Sequence, residues 1–147
     1  MCAEHSTVRG IIENLPAGEN QVTILDMGAT PEPFSRGTLK PIEVLLLIAE
    51  PYYKSLEAVV RMSDLARQLE IPHIEVVANK VRSDEEAQAI TEICEKNGLE
   101  LLKMIPYDQI FATADLKGVA PLDLDGQTAP GILELEDLAS RVEALVR

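Results

Sequence analysis

Polar residues follow four apolar runs in turn: Asp26, Glu50, Asn79-Lys80 and Asp108. Where such runs are strands of an open α/β sheet, ligands collect at their carboxyl ends. Taken singly, each of these residues reads more simply as a strand terminator or helix cap. Taken together, they point to one binding edge. Cys2 and His5 have the Cys-x-x-His spacing of a zinc or nickel ligand pair, although a terminal cysteine beside a solvated histidine needs no metal. His73, after Pro72 at a strand start, suits the surface better than catalysis. Phosphate chemistry lacks its usual residues. A phosphate loop needs Gly-x-x-x-x-Gly-Lys-Ser/Thr or a near variant, because backbone amides and one lysine cradle the phosphates. None of the eight glycines is followed by lysine. No nucleophile–base pair stands out either.

The elements that must position these residues alternate. Residues 21–25 are a short β-rich run, 44–49 are almost purely aliphatic, and apolar runs follow at 74–78 and 99–105, as expected of strands buried on both faces of a parallel sheet. Between them lie helical patterns. From Ser55, residues Leu56, Val59, Val60, Leu65, Ala66 and Leu69 recur at helical spacing. Ser83 and Glu86 form a capping box ahead of Ala87, Ile90 and Ile93, and Asn97-Gly98 ends that helix. Ile132, Leu135, Leu138, Val142 and Leu145 predict an amphipathic helix near the end of the sequence. Residues 7–15 predict a short helix before the first strand, and residues 121–131 an extended loop. The whole reads as a single α/β domain over residues 1–147, with a parallel sheet and flanking helices.

Bulk properties narrow the function. At 147 residues the chain can bury one core, and 46% apolar with 26% charged residues is ordinary for a folded domain. Only 3% of residues are aromatic, so the core must be aliphatic. A net charge of −12 excludes an extended nucleic-acid surface, which needs cations to neutralise phosphates. No apolar run approaches the ~20 residues of a membrane span. The first residues have neither the basic nor the apolar part of a secretory signal. Cys2 and Cys94 do not make a disulfide framework, so the expected compartment is the reducing cytoplasm. Cys94, beside Ile90 and Ile93, reads as a small buried hydrophobe.

A resemblance sharpens this. The stretch Asp26-Met-Gly-Ala-Thr-Pro-Glu-Pro-Phe-Ser-Arg-Gly-Thr38 resembles the Walker-B and switch II segment of the carbon monoxide dehydrogenase maturation ATPases, which belong to the MinD/ParA group. Glu50-Pro-x-x-x-Ser55, Asn79-Lys80-Val81 and Ile105-Pro-Tyr-Asp108 follow in the family's order and approximate spacing. The opening, from Cys2 to Arg9, resembles the segment after the family's Cys-x-Cys metal motif.

The resemblance implies a P-loop ATPase fold of the SIMIBI type, here without its P-loop strand, that would use ATP and magnesium. By it, Asp26 would hold the magnesium-bound water shell. Asn79, Lys80, Pro106, Tyr107 and Asp108 would contact adenine and ribose. Glu32, Arg36, Gly37 and Thr38 would lie in the switch that reports the γ-phosphate. Cys2 would join a nickel or zinc site shared between two protomers of a homodimer, with carbon monoxide dehydrogenase as client. Thr30 and Pro33 depart from the family's Gly and His, where the chain must approach a phosphate. Two other readings stay open: a non-catalytic pseudo-ATPase that binds a partner protein, and a partition or division ATPase fragment. Membrane-binding members of the latter carry a basic helix near their end. Here Glu134, Glu136, Asp137 and Glu143 outnumber Arg141 and Arg147, so anionic lipid would repel it.

Overall fold

The computed structural model describes Gly10, residues 21–28, Phe34, residues 42–124 and residues 128–146. Three aliphatic runs form strands: β1 (Val44–Ala49), β2 (His73–Val81) and β3 (Glu100–Pro106). They pair in parallel in the order β1-β2-β3, with Leu47 opposite Val76 and Val76 opposite Leu101. Parallel neighbours need a crossover between them, and a helix supplies each one. These are α1 (Tyr53–Gln68) between β1 and β2, and α2 (Asp84–Lys96) between β2 and β3.

Alternate strand residues point to one face, and there Leu47, Ala49, Val76 and Ala78 meet Leu56 and Val59 of α1 and Ile90 and Cys94 of α2. All eight are buried, Ala49, Val76, Ala78 and Ile90 completely. Cys94 is therefore the packed hydrophobe its position predicts, and burial pushes its thiol pKa up. α2 begins with a variant of the expected capping box. Ser83 Oγ accepts from Glu86 N at 3.2 Å, but Glu86 Oε2 accepts from Arg82 N, one residue before the cap, at 2.7 Å. It ends at Asn97, with Gly98 in the left-handed region at φ 60°.

After β3 come α3 (Gln109–Lys117), a 3-10 turn (Pro121–Asp123) and α4 (Pro130–Leu145). α4 packs on β3, where Lys103 pairs with both Glu134 and Asp137, and Asp137 also pairs with Arg141 at 2.8 Å. The lysine stands within the apolar run from Leu101 to Ile105, where two acidic side chains of α4 reach it.

Three expectations change. Residues 21–25 do not form a strand: residues 21–28 have no regular structure, and Val22, Ile24 and Leu25 are 52%, 89% and 40% exposed. β-propensity acts only where a neighbouring strand takes up the backbone hydrogen bonds, and none of the three described strands pairs with this segment. The expected loop over 121–131 contains the 3-10 turn and the first turn of α4. α3 was not expected at all, because its nine residues are too short for a clear apolar period. The helix expected over residues 7–15 lies outside the described residues except Gly10, whose backbone is helical.

Candidate functional site

The carboxyl ends of β1, β2 and β3 bring Glu50, Asn79, Lys80, Pro106, Tyr107 and Asp108 to one edge of the sheet. β2 and β3 are held in register there by Val81 opposite Pro106, and Tyr107 N donates to Val81 O at 2.8 Å. Just before this, Ala78 lies opposite Met104. Three steps along β2 therefore match two along β3, and Asn79-Lys80 is a bulge. Bulges re-aim side chains, and this one puts Lys80 in the left-handed region at φ 60°. For a residue with a Cβ that conformation costs about 1–3 kcal/mol and persists only where the surroundings hold it.

The holding contact is visible. Lys80 Nζ lies 2.8 Å from Glu50 Oε1, across the ends of β2 and β1. Glu50 is fixed in turn, since its N–H donates to Ser55 Oγ at 2.9 Å and its carbonyl accepts from Tyr52 N at 2.7 Å. The Glu50-Pro-x-x-x-Ser55 pattern is thus a closed turn that starts α1. Half-exposed ion pairs stabilise little, so the pair sets geometry more than stability.

Asp108 has a structural task in both oxygens. Oδ1 accepts from Ile110 N at 3.0 Å as the cap of α3, and Oδ2 accepts from Gly131 N at 3.1 Å in the first turn of α4. One carboxylate thereby joins two helix starts. Gly131 is buried against this joint: a Cβ there would lie 2.6 Å from Phe111 Cε2 and 3.0 Å from Asp108 Cβ. Tyr107 is partly exposed, its hydroxyl 3.1 Å from Gln109 Oε1. The Arg82 guanidinium carbon sits 4.6 Å from the centre of its ring.

Asp26 is not brought to this edge. Its neighbour Met27, with Phe34, packs among Ala66, Leu69 and Ile71, where α1 ends and the chain turns into β2. That is the opposite end of the sheet. Asp26 itself is exposed, and without a strand before it nothing aims it at Asn79. Glu32, Arg36, Gly37, Thr38, Cys2 and His5 lie outside the described residues. Among the described residues no group of three or more His, Cys, Asp or Glu could hold a metal ion. A cleft of about 340 Å³ opens between the starts of α1 and α2, lined by Pro51, Tyr52, Tyr53, Leu56, Glu85, Glu86 and Ala89. It contains none of the expected nucleotide residues.

Reading the sequence missed the Glu50–Lys80 pair and Arg82 over Tyr107. Pairing across strands depends on register, which a single sequence does not display. The only signal was the basic pair flanking Val81. Chemically the edge offers an amide, backbone groups, and a planar cation on an aromatic ring, so it is suited to binding a flat polar ligand.

This geometry sits in a known class. The chain belongs to the CobQ/CobB/MinD/ParA nucleotide binding domain family, whose model matches residues 6–122. Among curated relatives it is 34% identical over 132 residues to an uncharacterized ATP-binding protein of Methanocaldococcus jannaschii, covering 90% of this chain and 51% of that one. It is 32% identical over 124 residues to the carbon monoxide dehydrogenase accessory protein CooC of Rhodospirillum rubrum, covering 84% of this chain and 46% of that one. The chain thus spans about half the length of the curated relatives it matches. Among solved structures it is similar to the septum site-determining protein MinD of Pyrococcus horikoshii, complexed with Mg-ADP. There the TM-score is 0.72 at 16% identity, covering 98% of this chain and 58% of that one. That likeness shows the fold, an α/β unit with a parallel sheet and flanking helices.

Proposed function

We propose that this chain supplies the adenine- and ribose-binding part of an ATP-dependent accessory protein for nickel-centre maturation of carbon monoxide dehydrogenase, acting in the cytoplasm. The observation that carries the reading is the juxtaposition of Asn79 with the turn from Pro106 to Asp108 at the ends of adjacent parallel strands. An amide and backbone groups at one strand edge can read a base by its hydrogen-bonding edge. The 32% identity with CooC supports the client. Asp26 is assigned to the magnesium-bound water by the resemblance alone, as are Glu32, Arg36, Gly37 and Thr38 to a switch and Cys2 to a nickel or zinc site between two protomers. No helix among the described residues is long and apolar enough to cross a membrane.

In phosphoryl transfer the barrier falls mainly through amides, a lysine and magnesium gathered around the phosphates. Magnesium, its water shell held by Asp26 on the resemblance, would neutralise charge developing on the phosphates. The 147 residues contain no glycine–lysine loop to cradle those phosphates. The purified chain is therefore expected to hydrolyse no ATP above background. Magnesium-dependent turnover that persists through purification and disappears in Asp26→Ala would overturn this expectation. Since most affinity in such sites comes from the phosphates, the chain is also expected to bind ATP weakly.

A further inference from the structure

Arg82 is the residue at this edge that neither the resemblance nor the capping of α2 accounts for. Its backbone is fixed, because Arg82 N donates to Glu86 Oε2 at 2.7 Å. Its side chain does not follow that carboxylate. The guanidinium lies over the Tyr107 ring, 4.6 Å from ring centre to Cζ, and among the described residues no carboxylate pairs with it. The other cation at the edge, Lys80, is neutralised by Glu50. The ring beneath Arg82 is held as well, through Tyr107 N on Val81 O and Tyr107 Oη beside Gln109 Oε1. In a chain of net charge −12, a guanidinium held over an exposed tyrosine, with no carboxylate partner among the described residues, is an ordered cationic surface.

Resting on the nucleotide reading above, we propose that Arg82 and Tyr107 form one wall of the base subsite, on which the nucleobase stacks and which positions it for the Asn79 amide. A guanidinium is planar and weakly hydrated, so it can lie between two rings, whereas an ammonium cannot. Stacking of this kind tolerates any base. Selectivity for adenine then comes from hydrogen bonds at Asn79 and the strand end, and affinity from the wall. The cation also offsets the local excess of carboxylates that would repel a nucleotide.

The test uses the whole 147-residue chain with adenosine as probe, which removes the phosphates from consideration. Saturation-transfer NMR and protein amide shifts give both the affinity and the part of the ligand in contact. Wild type is expected to bind in the millimolar range, with adenine H2 and H8 receiving more saturation than the ribose protons. Arg82→Lys keeps the charge and Tyr107→Leu keeps the bulk, and each is expected to weaken binding about fivefold and to lose the H2/H8 preference. Tyr107→Phe keeps the ring and is expected to bind within about twofold of wild type. Binding by wild type that neither Arg82→Lys nor Tyr107→Leu changes overturns the wall and leaves the nucleotide site standing. Loss spread evenly over all ligand protons together with a lowered thermal midpoint also overturns it, since the pair is then only structural. No adenosine binding by wild type overturns the nucleotide reading and this one with it.

Discussion

Glu75 shows how much a single side chain can cost the fold. It sits in the middle of β2, between Leu46 of β1 and Glu100 of β3, and is only 7% exposed. Among the described residues its Oε2 has no hydrogen-bond partner. Burial, chiefly, and the neighbouring Glu100 charge raise its pKa above the ordinary carboxylate range, and His73 offsets part of that. Below that range Glu75 is neutral in folded and unfolded chains alike. As pH rises through it, the unfolded chain ionises first, so stability falls until the folded carboxyl has ionised too. Glu75→Gln keeps the shape and removes the charge. We expect its thermal midpoint to exceed that of wild type at pH 7 and the gap to close as pH falls towards 4. A gap that stays constant across this range would show that the burial, not the charge, is what matters. Lys80 presents the opposite case, in which the left-handed backbone is held by a visible partner, Glu50.

At the scale of elements, the joint between α3 and α4 rests on Asp108 and Gly131, and its two roles can be separated. Asp108→Ala removes a cap and leaves Gly131 N without its acceptor, a loss of about 1–2 kcal/mol, whereas Asn can replace the cap but not both accepted bonds. Gly131→Ala would gain up to about 1 kcal/mol of helix propensity, against about 1–3 kcal/mol for forcing a methyl onto Phe111. We expect a net loss, and a double variant Asp108→Ala/Gly131→Ala that falls short of the sum, because the two residues touch. Urea midpoints measure all three. Asp108→Asn keeps one acceptor oxygen for the α3 cap and sets an NH2 donor against Gly131 N, so it should unfold earlier than wild type but later than Asp108→Ala. If it nevertheless binds adenosine as wild type does, the carboxylate has no ribose to hold. The same joint marks how far the sequence could be read. Long aliphatic runs and the Ser83–Glu86 box announced β1, β2, β3, α1 and α2, because both faces of the sheet must be filled. The candidate edge followed from where those runs stop, which put Asn79 near the end of β2 and Asp108 just after β3. α3 was invisible because its nine residues give only about two and a half turns of pattern. Residues 21–25 read as a strand because β-rich composition reports what a segment can do, not whether a neighbour exists to pair with it. The partners of Lys103 in β3, Glu134 and Asp137, lie more than thirty residues further on, a pairing that a single sequence does not display.

Across the whole molecule, 25 acidic residues against 13 basic ones set the terms of any assembly. Two copies at a net charge of −12 each repel one another, more strongly at low salt, so a homodimer needs either a large apolar contact or local cations at its centre. A soft divalent metal is one such cation. Two Cys2 thiolates converging on a two-fold axis would supply two of the four ligands that tetrahedral zinc requires, and a His5 from each protomer could supply the others. Such a site would do more than hold a metal, because it would tie oligomeric state to metal supply. If Cys2 holds a shared ion, zinc or nickel should double the sedimenting mass at one ion per two chains. Cys2→Ser should lose both the uptake and the doubling, whereas Cys94→Ser, buried between α2 and the sheet, should keep both. Raising the ionic strength should favour the dimer in each case by screening the like charges. Equal metal uptake by wild type and Cys2→Ser, with a mass that ignores the metal, would end the bridging idea and leave the base-binding edge to be judged on adenosine alone.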